Sequence, residues 1–266
     1  MLLAFTCTAS TQTAAPIQLT PVGATLQTIT AVSDVSRKTT AATPTAKPTP
    51  TEAAPTATIA AAATPGQPVS ATAVAVSPDG RIVVAVNPDS DSVTVLDAES
   101  LQILTEIPVG DDPRTLAIAP DSQSALVANH AGATLSLLDL SQLLEAGSYA
   151  VGSMPYGVVT DGARAFVSEL ARGNVNVLNW STGELLARIT VAPFPTGLAL
   201  SADRASLYVT HLFSGRVTLI DTRSLEVKAN ITTGASTNLS QFVAISPNGD
   251  KAYLPQTRSN VTNTAM

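Results

Sequence analysis

The chain has 266 residues, 45% of them hydrophobic and 13% charged, with a formal net charge of −6 and a single cysteine. That length can bury a sizeable core. The acidic balance excludes a phosphate-backbone binder, which needs clustered Lys and Arg, and one cysteine excludes an internal disulfide or a Cys-rich zinc site. Unbroken apolar runs such as Ile82 to Val86 are about five residues long, against roughly 20 for a membrane-spanning helix.

In chain order, Met1-Leu-Leu-Ala-Phe-Thr-Cys7 comes first. An apolar run ending at the only cysteine resembles the tail of a lipoprotein signal. It lacks the basic flank, the long apolar stretch and the small residues of a full one. Lipid anchoring at Cys7 and an unmodified terminus therefore both stay open, and any membrane association is expected through this residue alone. Residues 8–70 are dominated by Ala, Thr and Pro and contain no aromatic residue. Such a stretch buries too little apolar surface to offset its ordering entropy, and its Thr-Pro steps favour extended backbone. The expectation is a disordered stalk, either displaying a domain at the cell envelope or serving as a plain linker. Residues 1–70 carry a net charge of +1, so the remaining residues carry −7.

From residue 71 onward a repeat takes over. Val93-Thr-Val-Leu-Asp97, Leu135-Ser-Leu-Leu-Asp139, Val175-Asn-Val-Leu-Asn179 and Val217-Thr-Leu-Ile-Asp221 end at spacings of 42, 40 and 42. Val84-Ala-Val-Asn87, Leu126-Val-Ala-Asn129, Phe166-Val-Ser-Glu169 and Tyr208-Val-Thr-His211 keep the same phase, as do turns of the type Ser77-Pro-Asp-Gly80. A fixed period with three markers in register is the signature of a repeat architecture. Within each repeat the pattern predicts four strands, for example A over 72–77, B over 81–87, C over 93–97 and D over 101–109. Asp-Gly supplies the tight A–B turn. Only Leu140 to Ala146 has any helical character. Four antiparallel strands per repeat form the blade of an all-β propeller, whose neighbours bury each other's apolar faces.

The Val-x-Asn and Tyr-Val-Thr endings, the Val-x-Val-Leu-Asp strand, and Val109-Gly110 followed by Pro113 resemble the YVTN (YncE-like) β-propeller repeats, over about residues 71 to 258. The resemblance implies a seven-bladed ring, typically extracytoplasmic or envelope-associated, and a binding role with no assigned ligand. Seven such blades need about 294 residues, and 196 follow residue 70. The sequence thus reads as about 4.5 blades in an incomplete ring over residues 71–266.

Propeller loops joining B to C and D to the next A share one end of the ring, where ligands bind. The B–C loops offer Asn87, Asn129, His130, Glu169, His211 and Gln256. The D–A linkers offer Arg114, Tyr156 and Thr196, each following a proline. Asn87 and Asn129 are equally suited to bond the following turn, and Asp97, Asp139 and Asp221 to cap the C–D turn. Asp89-Ser-Asp91 lacks the glycine and distal Glu of a calcium loop. No nucleophile, dinucleotide or phosphate-loop motif occurs, and two histidines are little material for acid–base work near pH 7. No catalytic residue, metal or cofactor is expected. The leading expectation is a non-enzymatic module for a protein, glycan or small-molecule partner. The alternative, implied by propeller relatives, is a lactonase-like or quinone- or haem-dependent dehydrogenase-like enzyme in which His130, Glu169, His211 and Arg114 converge.

Overall fold

The computed structural model describes residues 69–233, 237–238, 240–255 and 257–258. The stretch from Met1 to Cys7, the greater part of the 8–70 segment and Gln256 lie outside the described residues. Val69 and Ser70, which the sequence boundary leaves with the stalk, form strand β1 (Val69–Ser70).

Four blades follow, each of four antiparallel strands in the order A-B-C-D. The first blade is β2 (Val74–Val76), β3 (Ile82–Asn87), β4 (Ser92–Asp97) and β5 (Ile103–Pro108). The second is β6 (Pro113–Ile118), β7 (Ser124–Asn129), β8 (Thr134–Asp139) and β9 (Leu144–Ala150). The third is β10 (Pro155–Thr160), β11 (Arg164–Glu169), β12 (Asn174–Asn179) and β13 (Leu185–Thr190). The fourth is β14 (Pro195–Leu200), β15 (Ser206–His211), β16 (Arg216–Asp221) and β17 (Val227–Thr232). Short pairs then follow: β18 (Thr237–Asn238) with β21 (Thr257–Arg258), and β19 (Ala244–Ile245) with β20 (Ala252–Tyr253). The latter pair is the A–B hairpin of a fifth blade around Ser246-Pro-Asn-Gly249. The chain is a β-propeller, as its repeat predicts. The stretch Leu140 to Ala146 is not helical. Leu143 takes a left-handed φ of 59° to turn β8 into β9, and the only helical piece among the described residues is a 3-10 turn, Pro88–Ser90.

Period-two patterning explains the stacking. In β7, Leu126 and Ala128 face the third blade, while Ala125 and Val127 face the first. Both sets are buried, so the strand reads as a continuous apolar run. Corresponding positions of the third and fourth blades, such as Ala165 and Val167 or Leu207 and Val209, are buried as well. Among the described residues none covers the outer face of the first blade in this way. Val76 is 58% exposed, whereas its equivalent Ile118 is 6% exposed.

Backbone bonds sort the loops into two ends. At one end, C–D turns lie against A–B turns: Ala98 N–H donates to Arg81 O, Leu140 to Gln123, Trp180 to Ala163 and Thr222 to Ala205. At the other, B–C loops lie against D–A linkers: His130 N–H donates to Asp112 O, Leu170 to Met154 and Leu212 to Phe194. Asp112, Met154 and Phe194 hold φ of 55°, 58° and 56°, which aims each carbonyl at its loop. Asp97, Asp139, Asn179 and Asp221 each accept backbone N–H bonds within their own C–D turns. These side-chain oxygens, three of carboxylates and one of an amide, are turn caps.

β1 has no counterpart in the repeat. It pairs with β14, the innermost strand of the fourth blade. Ala71 N–H then donates to Leu198 O, and Thr72 bridges to Leu116 of β6, innermost in the second blade. Residues 69–72 therefore run through the axial space between two blades' inner edges, and Ala71 is buried in a cluster with Leu198 and Leu200.

Candidate functional site

The rim consists of the D–A linkers and B–C loops. Its frame is a row of polar side chains at the end of each B strand. Asn87 Nδ2 donates to Ser92 Oγ (3.1 Å) and Thr94 Oγ1 (2.8 Å), and Asn129 Nδ2 to Thr134 Oγ1 (3.0 Å) and Ser136 Oγ (2.9 Å). Both amides reach across to strand C and not into the following turn. Their side chains point along the pleat toward the neighbouring strand's hydroxyls, which the strand register places opposite them.

Glu169 holds the equivalent place in the third blade. It accepts from Ser153 N–H (2.9 Å) and Asn176 Nδ2 (3.3 Å), and Arg172 Nε lies 3.4 Å from Oε1. Gly152, at φ +111°, permits this approach, since a Cβ there would sit 2.5 Å from Oε1. In the fourth blade, His211 Nε2 meets Thr218 Oγ1 (2.9 Å) and Nδ1 meets Pro193 O (3.2 Å). Burial, together with the charge of Arg216, holds this imidazole below its ordinary value. Asn129, Glu169 and His211 are all buried; they tie strand B to strand C or to the linker beside it.

Thr196 is also buried. Its hydroxyl donates to Ser240 O (2.7 Å), joining the fourth blade to the fifth. The same kind of joint links earlier blades: Thr115 Oγ1 donates to Tyr156 O (2.6 Å) and Ser168 Oγ to Thr196 O (2.7 Å).

Tyr156 and His130 meet on the rim, and the charge of Arg114 reaches Tyr156. Arg114 Nη2 donates to Asp112 Oδ2 at 2.8 Å, and both side chains are partly exposed. The Tyr156 ring meets His130 edge-on, with centroids 5.9 Å apart. His130 Nδ1 lies 3.2 Å from Pro155 O. Burial raises the Tyr156 hydroxyl above the ordinary phenol value; the charges of Arg114 and Asp112 act on it in opposite senses. A phenol and an imidazole in ring contact, with a cation whose charge reaches the phenol, thus stand on the rim of the second and third blades. They can donate hydrogen bonds to, or stack upon, a ligand. Among the described residues no three His, Cys, Asp or Glu side chains gather as a metal-holding group.

A second part of the rim is not apparent from the repeat motifs. Phe194 and Phe213 stand edge-on at 5.0 Å between centroids. Shallow clefts of about 280 and 180 Å3 flank Phe194, one bounded by Phe213 and Arg216, the other by Leu170 and Arg172. The signal available in the sequence was the variable position before each linker proline, which reads Asp112, Met154 and Phe194.

Comparison with known proteins agrees with this architecture. The family model described as lactonase, seven-bladed β-propeller, matches residues 30–148. The uncharacterized protein YncE of Salmonella typhimurium is 26% identical over 170 residues, covering 61% of this chain and 47% of that protein. Its Salmonella typhi namesake matches equally. The repeat is YncE-like. The chain spans about half the length of these curated relatives. Among solved structures, Kuenenia stuttgartiensis hydrazine synthase superposes with a TM-score of 0.65 at 22% identity, over 77% of this chain and 59% of that one. The β-propeller domain of Myceliophteria thermophila Cps50 (Swd1) gives 0.59 at 14%, over 72% and 62%. At such identities these likenesses establish the fold alone.

Proposed function

We propose that this YncE-like propeller is an extracytoplasmic binding module whose rim of D–A linkers and B–C loops holds a protein, glycan or small-molecule partner. One observation carries the reading. Equivalent rim positions keep one backbone geometry while their side chains change, so that Asp112, Met154 and Phe194 share φ near 56° yet present a carboxylate, a thioether and a phenyl ring. A constant frame with varied tips is how rigid scaffolds encode recognition. The Ala/Thr/Pro-rich segment, the likeness of residues 1–7 to the tail of a lipoprotein signal and the family resemblance support a location outside the cytoplasm.

A photo-crosslinking residue at Tyr156, compared with one at Gln102 on the opposite end, tests the reading in envelope extracts. Capture of a specific partner at Tyr156 alone is expected; equal capture at both ends, or none, overturns it. Protease digestion of intact against lysed cells tests the location, which is overturned if the chain is cut only after the inner membrane is broken.

The description of the matched family model favours a second reading, hydrolysis of a lactone at the same rim. It needs His130, Glu169, His211 and Arg114 to act on one substrate. A divalent metal that raises the melting temperature of the wild type, but not of His130→Ala or His211→Ala, supports it. Absence of any metal response rejects a metal-dependent form.

A further inference from the structure

The paired clefts around Phe194 are lined by none of Arg114, Tyr156 and His130. Phe194 is 42% exposed and Phe213 61% exposed, so two large aromatic rings face solvent beside each other. The left-handed backbone at position 194 belongs to the linker frame, since Asp112 and Met154 share it. The choice of phenylalanine there does not follow from the frame. Gly, Asn or Asp occupies such a φ at least cost, and an apolar ring adds exposed surface.

Charge around the clefts is one-sided. Segments 170–173, 190–194 and 212–216 carry Arg172 and Arg216 and no carboxylate. The adjacent Glu169 is buried and bonded to Ser153 and Asn176. Arg216 forms no ion pair among the described residues, and Arg172 is 59% exposed while meeting Glu169 only through Nε. This is a cationic, aromatic patch on a chain of net charge −6. The clefts are open and share Pro193 and Phe194 in their linings, which suits successive side chains of an extended segment better than one enclosed small molecule.

We infer that the Phe194–Phe213 clefts bind an extended acidic peptide segment of a partner protein, with apolar side chains straddling Phe194 and carboxylates paired to Arg172 and Arg216. The inference deepens the rim-binding reading and rests on it. Exposed arginines beside aromatic anchors are a common composition of binding hot spots, and a guanidinium with free N–H groups takes a carboxylate in a two-pronged bond.

Fluorescence anisotropy with the labelled peptides Glu-Phe-Glu-Leu-Glu, Lys-Phe-Lys-Leu-Lys and Glu-Ala-Glu-Ala-Glu tests it on the full chain. The first peptide is expected to bind best, with Kd raised roughly tenfold or more by Phe213→Ala and by Arg216→Glu, as for loss of an interface anchor. Phe194→Gly, which suits the backbone there, is expected to weaken binding while keeping the melting temperature. No binding of the first peptide, equal binding of the alanine peptide, or indifference to both the Phe213 and Arg216 variants overturns the inference. Binding lost instead in Arg114→Glu or Tyr156→Ala overturns it and leaves the rim reading standing. Crosslinking confined to Gln102 removes both.

Discussion

At the scale of single residues, the polar row at the ends of the B strands shows why residue type alone misleads. Asn129, Glu169 and His211 are chemically suited to bind ligands, yet each is buried with bonds inside its blade or to the adjacent linker. Gly152→Ala should lower stability by more than about 2 kcal/mol, because the position requires φ +111° and the new Cβ would collide with Glu169; urea midpoints measure it. His211 gives a pH signature. The unfolded chain takes up its proton near 6.5, whereas the folded imidazole, desolvated by burial, does so only at lower pH. Its contribution is therefore fully present above 6.5 and lost as pH falls toward the folded value. Unfolding midpoints should drop on acidification in that window for wild type, and the drop should flatten in His211→Gln. Asp79, Asp97, Asp139, Asp203 and Asp221 are held below 3.8 chiefly by side-chain and backbone hydrogen bonds, so their contributions vanish only in stronger acid. The two windows are separable by titration.

At the scale of elements, the blades are joined by apolar faces and by hydroxyl-to-carbonyl bonds along the inner strands. Thr115 donates to Tyr156 O and accepts from Val158 N–H, so Thr115→Val leaves two buried groups unpaired. A loss of about 1–3 kcal/mol is expected, read as a lower melting temperature. The stacking makes a sharper prediction about equivalent positions. Val76→Lys, on a face of the first blade that no described residue covers, should change stability by less than about 0.5 kcal/mol, as for an ordinary surface site. Ile118→Lys, one repeat later and covered by the first blade, should cost more than about 4 kcal/mol or prevent folding, since it buries an unpaired charge. Similar costs at the two sites would mean that the first blade's outer face is covered in solution.

At the scale of the molecule, residues 69–72 tie the inner edges of the second and fourth blades together. Ala71→Glu, placing a charge in the buried cluster with Leu198 and Leu200, should release this segment while the blades persist. Hydrogen exchange would then speed up at Leu116 N–H, which donates to Thr72 O at 2.8 Å, and stay slow at blade-centre amides such as Val127. Slow exchange at Leu116 in the variant would show that the segment does not depend on that burial. The repeat, the four strands per blade, the capped C–D turns and the grouping of B–C loops with D–A linkers were legible in the sequence, because turn residues, alternation and period are local properties that each repeat restates. Arg114, Tyr156 and His130 were legible only as separate rim candidates, and the contact of Tyr156 with His130 came from tertiary packing. The inward aim of Asn129, Glu169 and His211, the Phe194–Phe213 pair and the axial path of β1 were decided only by tertiary structure. Each depends on contacts between segments far apart in the chain, of which Thr72 with Leu116 and Val69 with Leu200 are the clearest, and one-dimensional patterning holds no record of which edge an unrepeated segment will find.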